Sequence, residues 1–363
     1  MRGIALGRRL CGVTVGGFVA VALSERFSED GLIAQQEVED LRAALVRSQR
    51  DLRRAKAKTD ALVEATVQAA HDAVLGNYPP QIPKKRKKPS KAGSEAAIWH
   101  LTDWQGAKLT PSYNSEVMWE RVRRFVDKAE KITDMQSHSV RDCYILFGGD
   151  MIEGLFNFPT QPFEIDATLF EQYVNVANLM VETVTRALEI YQSVTVVSEW
   201  GNHGRLGSKR DAVPKSDNAD RMTYELARQI LISSGAKNLH WEDSGEDIQR
   251  VEIGNYRALL IHGDEIGRNG FASTNTITNH VNRWRSGSYP WHFRDVYVGH
   301  YHTHYQSSLA DGAGAIYGTG STESDNRYAS VGLASSAVPS QRLHFIDPEE
   351  GRVTAQYQIW LDH

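Results

Sequence analysis

The spacing of apolar positions changes twice along this chain. From Asp30 to about Leu75 it is helical but broken. Leu32, Val38, Leu41, Leu45, Leu52, Leu62 and Val63 form an interrupted stripe among Ala, Glu, Gln and Arg, with no proline. This predicts one long helix or a helical hairpin; a coiled-coil oligomerisation arm and a solvated arm both fit it. Pro79, Pro80 and Pro83 then forbid helix, and the run Lys84-Lys-Arg-Lys-Lys88 repels itself. Residues 79–94 therefore read as a linker between an arm at 1–78 and a domain at 95–363.

From Glu95 the pattern alternates. Apolar runs at 98–102, 143–149 and 194–198 predict strands, and amphipathic stretches at 114–133, 166–191 and 217–233 predict helices. The rhythm then turns to short strands at 248–253, 256–262, 295–299, 304–309, 314–318, 341–346 and 352–360, interrupted by one helix at 274–286. A βαβαβα half followed by a strand-rich half predicts an α/β domain of two sheets packed face to face with helices outside.

Composition narrows the class. A chain of 363 residues can bury a large core. A net charge of −4 leaves no global signal for nucleic acid, so any basic patch is local, as in the run 84–88. That run reads as a phosphate-binding segment or as a solvated spacer. The two cysteines, Cys11 and Cys143, form no disulfide framework, and Cys143 leads into an apolar run as a core thiol does. Both point to a reducing, cytoplasmic compartment. Arg8-Arg9 followed by the apolar segment 10–23 has a signal peptide's order of basic and apolar residues. It is short for a membrane span and rich in glycine, so a packed apolar segment is the other reading, and no stable membrane association is expected.

The chemistry lies where the strands end. Tyr144-Ile-Leu-Phe-Gly-Gly-Asp150-Met-Ile-Glu153 is an apolar run closed by two glycines and a carboxylate. The same design recurs at Ile98 to Asp103, Val194 to Asn202-His203, Ala258 to His262 and Val296 to His300-Tyr-His302. In open α/β sheets the carboxyl ends of strands face the ligand crevice. Singly, each of these residues is as well explained by a turn, a helix cap or a structural histidine. As a set, carboxylates, imidazoles and an amide oxygen suit Mn²⁺, Fe, Zn²⁺ or Mg²⁺. One aspartate could bridge two ions, and a spare histidine could protonate a leaving oxygen.

In this order and spacing the motifs resemble the calcineurin-like metallophosphoesterases, whose pattern is Asp-x-His, Gly-Asp, Gly-Asn-His, a lone His and Gly-His-x-His. The resemblance covers about residues 98–304 and is nearest in flavour to DNA repair exonuclease members. It implies a four-layer α-β-β-α sandwich and two divalent cations, Mn²⁺ first among the candidates. By position, Asp103 and His302 would hold the first metal, Asp150 would bridge, and Asn202, His262 and His300 would hold the second. His203 would be the general acid.

Two positions depart from the pattern. Gln105 stands where the family has the histidine of Asp-x-His. It offers only a neutral amide oxygen, so it lines a weakened first site. Gly204 stands where an acidic residue often orients the histidine, so the orienting partner of His203 is expected among Asp166, Asp211 and Asp264. Arg205 follows and is expected to contact a substrate phosphate. The loop Gly318–Arg327 reads as a substrate rim or an ordinary surface loop. The aromatic and arginine stretch 284–294 reads as a base-stacking surface or a packed cluster. The expected activity is phosphodiester hydrolysis on nucleic acid, DNA in preference. A phosphomonoesterase and a non-catalytic assembly protein with a decayed site are the alternatives, and self-association through the N-terminal arm is the expected oligomeric contact.

Overall fold

The computed structural model describes residues 94–362 apart from 208–213, 243–244, 267–271, 311 and 326–337, together with scattered positions between 40 and 82. The chain divides into two compact units, Met1–Thr66 and Val67–His363. In the first, the described residues 42–48 are helical. The apolar segment 10–23 and the basic run 84–88 lie outside the described residues.

The second unit holds two sheets. In the first, β1 (Ser94–Leu101), β2 (Ser139–Gly148), β3 (Ser193–Glu199) and β4 (Leu239–Glu242) run parallel. Its other edge is the antiparallel pair β10 (Ser340–Asp347) and β11 (Arg352–Trp360), giving the order β11-β10-β1-β2-β3-β4. The second sheet has the order β5-β6-β7-β9-β8, from β5 (Gln249–Ile253), β6 (Tyr256–Ile261), β7 (Asp295–Val298), β8 (Tyr305–Ser308) and β9 (Ala315–Gly318). Here β6, β7 and β9 are parallel and the outer strands antiparallel.

Helices cover both outer faces. On the first sheet lie α1 (Ser115–Met135), α2 (Leu169–Ile190) and α3 (Ala219–Ser233). The second sheet carries α4 (Thr274–Arg283). Each helix begins where the sequence supplies a cap. Asn114 accepts from Val117 N–H, Thr168 and Glu171 form a reciprocal capping box, and Asn218 accepts from Asp220 N–H. The buried face of α1 is Met118, Val122, Phe125, Val126 and Ala129, and Phe125 meets Trp99 of β1 edge-on at 5.5 Å.

Between the sheets, Ile98, Leu146 and Val197 meet Val251, Tyr256, Leu260, Tyr297 and Tyr317. Under α4, Ile277 and Val281 pack on Leu259, Ile261, Val296, Val298 and Ile316. The central strands are buried on both faces, which is why they read as continuous apolar runs rather than as alternation. The result is a four-layer α-β-β-α sandwich. The predicted strands and helices are present to within a few residues, with one addition: β4, a four-residue edge strand too short to stand out in the sequence. The predicted helix over 274–286 stops at Arg283 and passes into a π turn. Cys143 is a buried free thiol. Among the described residues no helix is long and apolar enough to cross a membrane.

Candidate metal centre

Six parallel strands, three from each sheet, aim their carboxyl ends at one crevice. The loop after β1 carries Asp103 and Gln105, and the loop after β2 carries Asp150 and Glu153. Asn202 and His203 follow β3, His262 follows β6, His300 and His302 follow β7, and Glu323 follows β9. The first two loops are stapled side by side: Asp103 N–H donates to Gly149 O at 3.0 Å, Gln105 N–H to Asp150 O at 2.9 Å and Glu153 N–H to Gly106 O at 3.0 Å. Asp103, Gln105, Asp150, Asn202 and His262 are buried, and His203, His300 and His302 are partly so.

The backbone marks these positions independently of any side-chain contact. Seven described non-glycine residues have positive φ: Asp103, Gln105, Ala107, Asp150, His300, His302 and Asp325. Five of them belong to the candidate ligand set. Each left-handed residue costs about 1–2 kcal/mol, so the five together cost about 5–10 kcal/mol. Glycine would adopt this backbone with little penalty. A carboxylate, an amide or an imidazole stands there instead, and strain of this kind gathers at functional sites.

The side chains form two clusters. His262 Nδ1 lies 2.8 Å from the carbonyl oxygen of Gly148, which can only accept, so Nδ1 carries the proton. His262 Nε2 then faces Asp150 Oδ2 at 3.0 Å, Asn202 Oδ1 at 3.3 Å and His300 Nδ1 at 3.2 Å. His302 repeats the arrangement. Its Nδ1 is 2.8 Å from Glu323 Oε1, and its Nε2 is 3.2 Å from Asp103 Oδ1 and 3.1 Å from the amide nitrogen Nε2 of Gln105.

In each cluster a histidine fixed through Nδ1 points its other nitrogen at a carboxylate oxygen, Asp150 Oδ2 or Asp103 Oδ1. Only a cation, a proton or a metal, reconciles them. Without a metal the proton takes that place. Burial pulls both imidazoles down, but Asp150 raises His262 well above the usual range, and Glu323 with Asp103 does the same for His302. Asp150, which burial would push up, is held far below the usual carboxylate range by His262 and His203.

The donor set fits divalent cations. Ligating atoms of Asp150, His262 and His300 lie within 4.8 Å of one another. The Gln105 oxygen Oε1 is buried with no hydrogen-bond partner, as an oxygen awaiting a ligand is. Carboxylate, imidazole and amide donors together suit Mn²⁺, Zn²⁺, Fe or Mg²⁺ without choosing among them.

His203 stands beside this centre. Its backbone N–H donates to Asp150 Oδ1 at 2.7 Å, and its Nδ1 lies 3.1 Å from Glu153 Oε2. Burial lowers its pKa, but Glu153 and then Asp150 outweigh this and hold it at about 9. With Nδ1 on Glu153, the proton of Nε2 is the one left to give. The orienting carboxylate is therefore Glu153, and not Asp166 or Asp264. Glu153 follows Asp150 by three residues on the same loop, which runs directly under the imidazole. Asp166 instead accepts from Ser115 at the start of α1, and Asp264 pairs with Arg205. Asp211 lies outside the described residues. Arg205 is thus engaged by Asp264 at the edge of the site.

Two more carboxylates complete the site. Asp220, in the first turn of α3, accepts four backbone N–H groups: those of Asp150 (2.8 Å), Met151 (3.0 Å), Ile152 (3.2 Å) and Gly201 (2.9 Å). It thereby ties the loop after β2 to the loop after β3. Glu323 lies on the Gly/Ser/Thr loop. Thr319, Ser321, Thr322 and Glu323 of that loop are buried, and Ser321 and Thr322 bond back to the backbone of Asp103 and Trp104, so this part is a wall of the site and not a surface loop. A signal for Glu323 was present: Ala315-Ile-Tyr-Gly-Thr-Gly-Ser-Thr-Glu323 is a sixth apolar run leading through glycines to a carboxylate. The aromatic stretch 284–294 packs on the second sheet. Trp284, Tyr289 and Trp291 lie against the core, and Arg250 and Arg257 stack over Trp291 at 5.7 and 5.8 Å. It is a packed cluster whose rings remain partly buried.

No protein-family profile and no curated protein matches the sequence. Solved structures with distant likeness do exist. Zinc-bound Vps29 of Entamoeba histolytica aligns over 73% of this chain and 99% of its own at 12% identity, with a TM-score of 0.32. A predicted phosphoesterase of Streptococcus pneumoniae aligns over 74% and 99% at 11% identity and 0.27. A putative 5'-nucleotidase of Staphylococcus aureus aligns over 74% and 54% at 8% identity and 0.34. At these values neither fold nor chemistry follows from the likeness; both rest on the topology and the side chains.

Proposed function

We propose that this chain is a metal-dependent phosphoesterase that hydrolyses phosphodiesters, with nucleic acid as the substrate class. The observation that carries the reading is the gathering of Asp103, Gln105, Asp150, Asn202, His262, His300 and His302 at one crevice, five of them on left-handed backbone. Asp103, Gln105 and His302 would hold one divalent cation, Asn202, His262 and His300 a second, and Asp150 both. Two such ions supply Lewis acidity to phosphoryl oxygens and make water ionise near neutral pH.

The chain's own residues do the rest. Glu153 fixes the His203 ring through Nδ1, and His203 presents Nε2–H beside Asp150, where a leaving oxygen can take the proton. Asp220 holds the Asp150 and Gly201 loops at fixed separation, so the donors are placed before substrate arrives. The basic run Lys84–Lys88 in the sequence supports a polyanionic substrate.

The test is metal content and hydrolysis of bis-p-nitrophenyl phosphate with added Mn²⁺, wild type against Asp150→Ala. Diester hydrolysis that Asp150→Ala abolishes is the expected result. A protein that takes up no metal and cleaves neither di- nor monoesters would refute the reading and leave a binding or assembly role.

A further inference from the structure

Lys108 is 6% exposed and follows Gln105 by three residues. Its backbone has a structural role, since Lys108 bridges Ile165 and donates to Gln105 O, but neither bond needs an ammonium. The side chain runs inward. Nζ lies 3.2 Å from Glu153 Oε1 and 2.8 Å from Glu164 Oε2. Glu153 is fully buried, and its second oxygen is the one that meets His203 Nδ1. Glu164 is 46% exposed and can be solvated without help. Glu153 cannot, so the ammonium is what fixes its Oε1 while Oε2 meets His203 Nδ1. Glu323, behind His302, also acts on the Lys108 charge.

We propose that Lys108 is a positioning residue for the reaction: its ammonium holds Glu153 by Oε1 with Oε2 turned toward His203 Nδ1, so that His203 presents Nε2–H to the leaving oxygen. The proposal rests on the phosphoesterase reading and separates from it by leaving group. p-Nitrophenolate departs without a proton, whereas phenolate needs one. The experiment compares hydrolysis of bis-p-nitrophenyl phosphate and diphenyl phosphate by full-length, metal-loaded wild type, Lys108→Met and Lys108→Arg.

Lys108→Met is expected to lower kcat on diphenyl phosphate by about tenfold or more, a fraction of what a general acid contributes, with less than about a threefold change on the nitrophenyl ester. Lys108→Arg, which keeps the charge, is expected to restore at least part of the loss. In a His203→Ala background, Lys108→Met is expected to add nothing further. Circular dichroism checks folding, and Lys108→Gln stands in if the methionine variant is unfolded. An equal loss on both esters, no loss on either, or full additivity with His203→Ala would overturn the proposal and leave the phosphoesterase standing. A wild type inactive on both esters would overturn both.

Discussion

Gly201 tests the geometry of the centre most directly. A Cβ built on it would lie 2.0 Å from Asp150 Oδ1 and 2.3 Å from the Asp150 backbone nitrogen. Gly201 is not among the residues with positive φ, so alanine meets no backbone penalty there and space is the only obstacle. Atoms in native packing do not approach a Cβ this closely, so the Asp150 loop must retreat by roughly 1 Å. Overpacking of this kind costs about 1–3 kcal/mol, which a domain of ordinary stability survives. The displaced group is the carboxylate proposed to serve both cations, and shifts at supporting positions typically cost about 10–100-fold in metal affinity.

Gly201→Ala is therefore expected to fold, to melt several degrees lower, and to bind Mn²⁺ or Zn²⁺ at least tenfold more weakly by isothermal titration calorimetry. Gly235→Ala is the control. Its φ is +84 with nothing within 4 Å, so it carries only the left-handed backbone penalty of about 1–2 kcal/mol. It is expected to leave metal binding untouched. A Gly201→Ala protein that binds metal with the affinity and stoichiometry of the wild type would refute the assignment of this crevice as the centre.

Three further outcomes are expected. Glu323→Gln removes the charge behind His302 while keeping an oxygen for its Nδ1–H, and should weaken metal binding by about 10-fold or more without lowering the melting temperature by more than a few degrees. Gln105→His replaces an amide by an imidazole on backbone already left-handed, as His300 and His302 are, and should tighten binding at that cluster, read by competition with a chelator. Asp295, far from the centre at the start of β7, is pushed to about 6 by burial, against the backbone N–H of Ala315 that it accepts at 2.7 Å. Because the folded value lies above the ordinary 3.8, the ionised form destabilises the fold. That penalty is complete above pH 6 and fades as the pH falls toward 3.8. Asp295→Asn, which can keep the Ala315 bond, should stabilise by up to about 3 kcal/mol at pH 7.5 and by almost nothing at pH 4 in urea unfolding.

The layers of the fold were legible because the domain obeys one rule throughout. Strands buried on both faces appear as unbroken apolar runs, and a polar residue placed after a run and its glycines has to sit at the sheet's edge. The same rule located Asp103, Asp150, Asn202, His262 and His300, since each follows its strand within a few residues. It holds for Glu323 as well, although Gly/Ser/Thr-rich composition gives that loop the look of exposed chain.

The carboxylates that organise the site were not legible, for a different reason. Asp220 sits where an N-terminal helical acid is ordinarily explained by the helix itself, and nothing local shows that its oxygens accept from two loops some 70 and 20 residues earlier in the chain. Glu153 differs from the aspartates considered for His203 in lying on the same loop as Asp150, so the partner came from the near strand end and not from a residue beside the histidine in sequence. Lys108 resembles any surface lysine until Glu153 and Glu164 are seen on either side of it. Residues that would touch a metal or a substrate are set by strand position. Those that hold them in place are set by which loops the sandwich brings together, and only the folded chain displays that.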